Sequence, residues 1–490
     1  MDVASLLPGL ALAPAGAAAA LIVLSRRHPP LRETWSVLAA AAQTAVVAAM
    51  VPRVSEGVRL TWEGPELVAG VPLLLRADPL GVLFAALASG LWLLTTVYSI
   101  GYVRALDEPR QTRYFACFAL CLFATVGLAL AGNLLTFFAF FEILTVAAYP
   151  LVVHKGTEEA ARAGRIYLLY TLTGGTALLG AVVWTSALAG TLEFRPGGIL
   201  PAATAPAALW GLFALFVVGC GVKAAIVPLH TWLPLAMIAP TPVSALLHAV
   251  AVVKAGVFGV VRIVGFVFGP ELLGDMGAAG VLAGLALTTI LLASLAAAAQ
   301  DNLKRLLTFS TISQLSYVVL GVALGTQTGF AGGVVHIASH ALLKITLFFC
   351  AGAIYVTAHV ERVSDMAGLG RRMPWTMGAF AAAAFMLAGM PPGAGFVSKW
   401  RLIEGAVQGG AWVAVLVLLA GVVLNVAYFT PVIVRAFAGP AAPATAEAPA
   451  SLLVPLLITA AGGLLLGLVP DGVLPVLPLA LEIARSVSGP

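Results

Sequence analysis

Charge is what this chain has least of: 10% of its 490 residues are charged and 61% hydrophobic, against about 25% charged in a soluble domain. That balance excludes a water-soluble globule. Cysteine is scarce too. Cys117, Cys121, Cys220 and Cys350 all fall in apolar stretches without metal-type CxxC spacing, so small core residues are expected rather than a disulfide or a cluster. Neither a nucleotide-binding glycine loop nor a haem-ligand pair is present, so the chain is not itself a redox catalyst and no cofactor is expected. The net charge of +5 comes without a basic patch interleaved with aromatics, which removes nucleic acid as a partner.

What fills the sequence instead is a series of apolar runs, each about the 20 residues a helix needs to cross a bilayer. Fourteen are expected: 3–24, 34–52, 79–103, 113–131, 133–153, 163–190, 207–227, 241–268, 272–299, 304–325, 330–358, 375–408, 411–438 and 451–470. The fold class is therefore an all-α polytopic membrane protein. The first run follows Met1-Asp2 with no basic segment before it, so a retained helix is expected rather than a cleaved signal peptide. With both termini placed outside, fifteen Lys and Arg fall in or beside cytoplasmic loops and seven on the other side, the remaining four of the 26 being intramembrane lysines. That asymmetry obeys the positive-inside rule. Residues 188–206 and 439–450 read as linkers, and 53–78 as a small external hairpin.

Four of the six lysines, Lys223, Lys254, Lys344 and Lys399, lie inside these runs. Facing lipid, they would cost on the order of 10 kcal/mol together, so they must face protein or water. Glu142 is the one carboxylate near the middle of a run. A structural ion pair is one account of it; the preferred one is that Glu142 pairs with a membrane lysine and switches its proton affinity, since intramembrane ionisable groups mark proton and ion pathways. Such a switch requires a lysine brought from about 10.4 to near neutral pH, about 4 kcal/mol of work.

Prolines punctuate two of the lysine-bearing runs. Pro228, Pro234, Pro240 and Pro242 follow Lys223, and Pro391 and Pro392 precede Lys399. A broken helix within a bilayer is tolerated only where it is buried or lines a cavity, and a pair of such segments points to half-sites of an internally repeated transporter. His336, His340 and Lys344 are spaced i, i+4, i+8 and share one helical face, as a histidine ladder for protons would. Interhelical hydrogen bonding without transport is the plainer alternative, and a zinc site lacks the glutamate a zincin needs. Lys254 and, as accessory groups, His248 and His230 complete the set; His28, His154 and His359 fall in loops and are assigned nothing.

Together these residues resemble the antiporter-like membrane subunits shared by Mrp-type multisubunit cation/proton antiporters, respiratory complex I and membrane-bound hydrogenases. The resemblance runs over about 100–430, most specifically from Lys223 through APTPVSALLHAVAVVKAG, in DNLKRLLTFSTISQLSYVVLG, in the His336/His340/Lys344 ladder and in GMPPGAGFVSKW. It implies two inverted five-helix repeats, helices 4–8 and 9–13, with helices 7 and 12 broken. The chain then divides into 1–112 (three N-terminal helices), 113–268 and 269–438 (the two repeats) and 439–490 (linker and last helix). It also implies a proton path of Glu142, Lys223, Lys254, His336, His340, Lys344 and Lys399. Length and the SKW context look most like the Mrp D-type chain, although Phe141 stands where many relatives have Trp; Lys399 argues against the complex I branch with Glu there. Implied partners are the other subunits of such a complex, protons, monovalent cations and the lipid of a bacterial inner membrane. The implied activity is proton translocation in a sodium/proton antiporter, the alternative being a proton-pumping subunit of a quinone reductase or hydrogenase.

Overall fold

The computed structural model describes residues 2–439, 446–472 and 474–488. Among the described residues thirteen helices are long and apolar enough to span a membrane: α1 (Leu7–Leu24), α2 (Pro29–Ser55), α3 (Pro79–Ala105), α4 (Gln111–Ala129), α5 (Leu134–Val152), α6 (Glu158–Ala189), α7 (Pro206–Ala224), α8 (Thr241–Phe268), α9 (Ala278–Ala298), α10 (Leu303–Ala323), α11 (Gln327–Ala358) and two more near the C-terminus. Between α11 and those two lies α12, split into Pro374–Ala388 and Ala394–Gln408. The last two spans are α13 (Trp412–Phe437) and α14 (Ala450–Leu468). The expected count of about fourteen therefore stands. Of the expected linker 439–450, residues 440–445 lie outside the described residues.

The hydrophobic effect does not sort helices inside a bilayer, so burial here reports packing between helices. By that measure α8 is 100% buried and α10 94%, whereas α2 and α13 are 33% buried. The centre of the molecule is thus α8, α10 and α11, the helices that carry most of the unusual polar groups. α11 packs on α3, α8, α10, α12 and α14.

Both proline-marked breaks are present. α7 ends at Ala224 and the chain turns through 225–231 before the short helix Trp232–Leu235; α12 is interrupted between Ala388 and Ala394. The freed backbone groups find partners, as a buried break requires: Trp232 Nε1 donates to Val222 O at 2.8 Å and Val227 N to Thr289 Oγ1 at 3.1 Å. A third break was not signalled by the sequence. Within α8, helix runs over Thr241–Ala249 and resumes at Val252, with Ala251 N bonded to Leu246 O at 2.9 Å. That i→i+5 bond is a π-type turn, a feature common at functional sites.

Two elements stand beside the spanning helices, the first of them the expected hairpin. The 53–78 segment forms the hairpin β2 (Arg59–Val68) and β3 (Val71–Ala77), antiparallel, with β1 (Asp2–Ala4) pairing parallel to β2. A further helix, α15 (Val476–Ser488), follows α14 and packs on α3 and α11.

His154, left unassigned above, is fully buried just past the end of α5, with its Nε2 3.6 Å from Glu108 Oε2. Burial, then Arg113 and Arg110, push its pKa down to about 4, so near neutral pH the contact is not an ion pair. The unfolded chain protonates His154 near the usual value of about 6.5. Stability is therefore full above that pH and is lost as the pH falls toward about 4. Unfolding temperatures in detergent for wild type and His154→Phe, taken at about pH 7 and about pH 5, should show the smaller acid loss in the variant. Equal losses would count against this.

Candidate functional site

Each membrane lysine is buried and each finds an acceptor on a different helix or helix half. Lys223, in the last turn of α7, is fully buried; its Nζ donates to Phe141 O of α5 and lies 3.4 Å from the Phe141 ring centroid. Lys254, just past the π-type turn, donates to Ile337 O of α11 at 3.0 Å. Lys344 of α11 donates to Ser310 Oγ of α10 at 2.8 Å. Lys399, on the second half of α12, donates at 3.1 Å to Ala388 O, the end of the first half, and lies 4.7 Å from the Tyr317 ring centroid. None of the four faces lipid, as their cost demands.

Glu142 corrects one expectation. Among the described residues it makes no direct ion pair with a membrane lysine, because the ammonium of Lys223 is taken up by the carbonyl and ring of the preceding residue, Phe141. Lys223 is nonetheless the cation that acts on Glu142 electrostatically. The carboxylate lies against α6, where a Cβ at Gly175 would come 2.5 Å from Glu142 Oε1, and Oε1 has no hydrogen-bond partner among the described residues. Only glycine leaves room for it. Gly175→Ala should displace Glu142 and lower proton flux as far as Glu142→Gln does; wild-type flux in Gly175→Ala would show that the placement is immaterial.

The segment that carries Lys254 is in backbone contact with the end of α7. A Cβ at Gly256 would overlap the backbone of Lys223 and Ala224, so the Lys254 segment of α8 crosses directly on the end of α7. α11, which supplies the Ile337 acceptor of Lys254, also carries His340. Its ring is 6.3 Å from that of His336. His340 and His248 are both fully buried, and all four of their ring nitrogens lack a hydrogen-bond partner among the described residues. His248 stacks on Phe348 at 4.8 Å. His230 is not brought into this cluster: it is half-buried in the α7 break, with its ring 6.5 Å from Phe309.

The structure adds residues that hydropathy passes over. From Lys344, Ser310 Oγ leads to Tyr428 Oη at 2.8 Å, and Tyr428 to Asn425 Oδ1. Gln314 Nε2 also donates to Asn425 Oδ1, at 2.9 Å, and its Oε1 lies 3.1 Å from His336 Nε2. His336 Nδ1 lies 2.9 Å from Ser398 Oγ, beside Lys399. Side chains of α10, α11, α12 and α13 thus join Lys344 to the neighbour of Lys399. A signal for them exists: TFSTISQ in α10 is unusually polar for a fully buried span, and Asn425 and Tyr428 share a face of α13 at i, i+3.

Beside the α7 break, at the ends of the helices, a cavity of about 340 Å³ is lined by Lys155, Glu159, Met237, Lys304, Arg305 and Glu361, among others. Lys304 closes its inner side by donating to Ala239 O at 2.8 Å. The four cysteines are unpaired.

Residues 131–425 match the profile of the family described as NADH:quinone oxidoreductase/Mrp antiporter, TM. The chain is 36% identical over 417 residues to the N-type chain of the NADH-quinone oxidoreductase of Desulforudis audaxviator, covering 80% of this chain and 81% of that protein. It is 27% identical over 434 residues to the D-type chain of the Na(+)/H(+) antiporter of Alkalihalophilus pseudofirmus, covering 88% and 85%. In fold it superposes on a chain of the Mrp complex from Dietzia sp. with a TM-score of 0.88, 24% identity and 99% coverage of both chains.

Proposed function

Because the chain belongs to the NADH:quinone oxidoreductase/Mrp antiporter transmembrane family, we propose that it is the proton-translocating subunit of a multisubunit membrane antiporter that exchanges protons for a monovalent cation such as sodium. The observation that carries this is the row of buried lysines and histidines between the broken helices α7 and α12, each lysine held by one neutral acceptor rather than by a carboxylate. A lysine fixed by an acidic partner would keep its proton; one facing a carbonyl or hydroxyl can release it.

Protons enter at the cavity beside the α7 break and pass to Lys254 and Lys223. They then cross His340 and His336 to Lys399 and leave by the break in α12. The unpartnered ring nitrogens of His248 and His340 fit groups that take and give protons in turn. Glu142, the residue after the Phe141 whose carbonyl holds the Lys223 ammonium, sets whether Lys223 holds its proton. The α4–α8 and α9–α13 sets act as two related half-channels, in the manner of inverted repeats. The chain is one subunit of a larger complex in a bacterial inner membrane, with both termini on the outer side. Its likeness to the D-type chain of a Na(+)/H(+) antiporter over most of both chains supports the antiporter form.

The 36% identity to the N-type chain of an NADH-quinone oxidoreductase favours a second reading, in which the same path serves a redox-driven pump. Proton flux in everted vesicles carrying the chain with its neighbouring genes separates the two. Sodium-triggered flux supports the antiporter, whereas flux on adding a reduced electron donor, with no sodium response, replaces it by the pump.

A further inference from the structure

The hydrogen-bond network between Lys344 and His336 has an orientation that one backbone carbonyl decides. Asn425 is fully buried on α13, and its side-chain amide lies 2.5 Å from Gly421 O. A carbonyl only accepts, so the Asn425 atom facing it is the NH2 group. Turned the other way, two oxygen lone pairs would oppose each other at that distance. Asn425 Oδ1 therefore points away from Gly421, toward Gln314 and Tyr428.

Everything else follows by donor and acceptor counting. Gln314 must present its NH2 to Asn425 Oδ1, at 2.9 Å, which leaves Gln314 Oε1 for His336 Nε2, at 3.1 Å. An amide oxygen cannot donate, so His336 Nε2 carries the hydrogen. Neutral His336 then has its bare nitrogen, Nδ1, 2.9 Å from Ser398 Oγ, so the one hydroxyl hydrogen of Ser398 goes to Nδ1 rather than to the longer contact with Gly395 O at 3.1 Å. On the other branch Tyr428 has one hydrogen and gives it to Asn425 Oδ1. Ser310, 2.8 Å from Tyr428, then donates to it and accepts from Lys344 at 2.8 Å.

Two strings of donors, one from Lys344 and one from His336, thus converge on a single oxygen. We propose that Asn425, through Gln314, is a positioning residue that locks His336 in the Nε2–H tautomer with its basic Nδ1 turned toward Ser398, the residue before Lys399, and that it insulates His336 from Lys344 along this route. A proton reaching Tyr428 finds only a weakly basic amide oxygen ahead of it, so exchange between the Lys344 and Lys399 sides goes through His340. The inference rests on the proton-path reading for its purpose, but the tautomer stands or falls without it.

The test is solid-state nitrogen NMR of the membrane-embedded complex with labelled histidine, the His336 signals being assigned by their loss in His336→Asn. In wild type near neutral pH, His336 should show a protonated Nε2 and a bare Nδ1. Asn425→Leu, which removes the acceptor that orients Gln314, should replace this with a mixture of tautomers. Ser398→Ala, which alters only the Nδ1 side, should keep Nε2–H. A protonated Nδ1 with bare Nε2 in wild type overturns the proposal, as does an unchanged signal in Asn425→Leu. If Asn425→Leu fails to assemble, the wild-type spectrum alone decides. Flux in Asn425→Leu should fall about tenfold or more, a part of the about 10² to 10⁴ that a positioned acid–base group contributes. Absence of flux in wild type with the expected tautomer would instead reject the transport reading and leave this inference standing.

Discussion

Alanine at Lys254 should abolish proton flux, by about 10²-fold or more, while the chain still folds and assembles. Position is the reason. Lys254 is fully buried and sits where α8 resumes after its π-type turn. Two residues on, Gly256 rests on the backbone of Lys223. On its other side Lys254 bonds Ile337 O, on the helix of His336, His340 and Lys344. On the proposed path it is the joint between the α7 end and the histidine face. Because Lys254 has a single neutral acceptor, its removal strands no carboxylate, so the loss falls on transport rather than on stability. Lys254→Arg separates a carrier from a structural cation. Arginine keeps the charge and the donor but cannot deprotonate in a protein, so it should be as inactive as alanine. Wild-type flux in Lys254→Arg would reduce Lys254 to a structural charge.

Breaking the ion pair of Asp78 and Arg262 should cost about 3–5 kcal/mol, the range for stranding one partner of a buried pair. Arg262, on α8, is 1% exposed. It donates to Asp78 Oδ2 at 2.5 Å and to Oδ1 at 2.8 Å. The rings of Phe194, Phe258 and Phe266 surround it at 5.3, 5.2 and 4.8 Å. Asp78 also caps α3 by accepting from Gly81 N at 2.7 Å. Asp78→Asn retains the cap and isolates the charge. Asp78→Asn and Arg262→Met should each lower stability by that amount, whereas the double variant should lose clearly less than their sum. Unfolding in detergent of the three variants measures the coupling, and strictly additive losses would deny it.

How much of this was legible from sequence depends on what kind of signal each residue gave. A lysine or glutamate inside an apolar run stands out by charge, so Glu142, Lys223, Lys254, Lys344 and Lys399 are legible as candidates directly. Proline and glycine announced the breaks in α7 and α12. The break in α8 was silent, because a shift to an i→i+5 bond needs no special residue; Val250, Val252 and Val253 only weaken the helix locally. Ser310, Gln314, Tyr428 and Asn425 were missed because neutral polar residues barely register against a hydropathy window. α15 was missed because its 13 residues, Glu482 and Arg485 among them, are too few for a span. The pairing of Glu142 with Lys223 was the natural inference from charge alone, yet the carbonyl of the adjacent Phe141 is what the ammonium reaches. Arg262 gives no such signal on its own, because its partner, Asp78, is 184 positions away in sequence and is visible only in the fold.

The central claim is that one buried chain, from Lys223 at the first break to Lys399 at the second, carries protons. Its most direct measurement is cation-dependent proton flux in everted vesicles from an antiporter-deficient host expressing the chain with its neighbouring genes. Wild type, Lys223→Ala and Lys399→Ala are compared at matched protein levels. Sodium-triggered flux in wild type and its loss in both variants is the expected result; sodium-triggered flux that survives either substitution would contradict the claim.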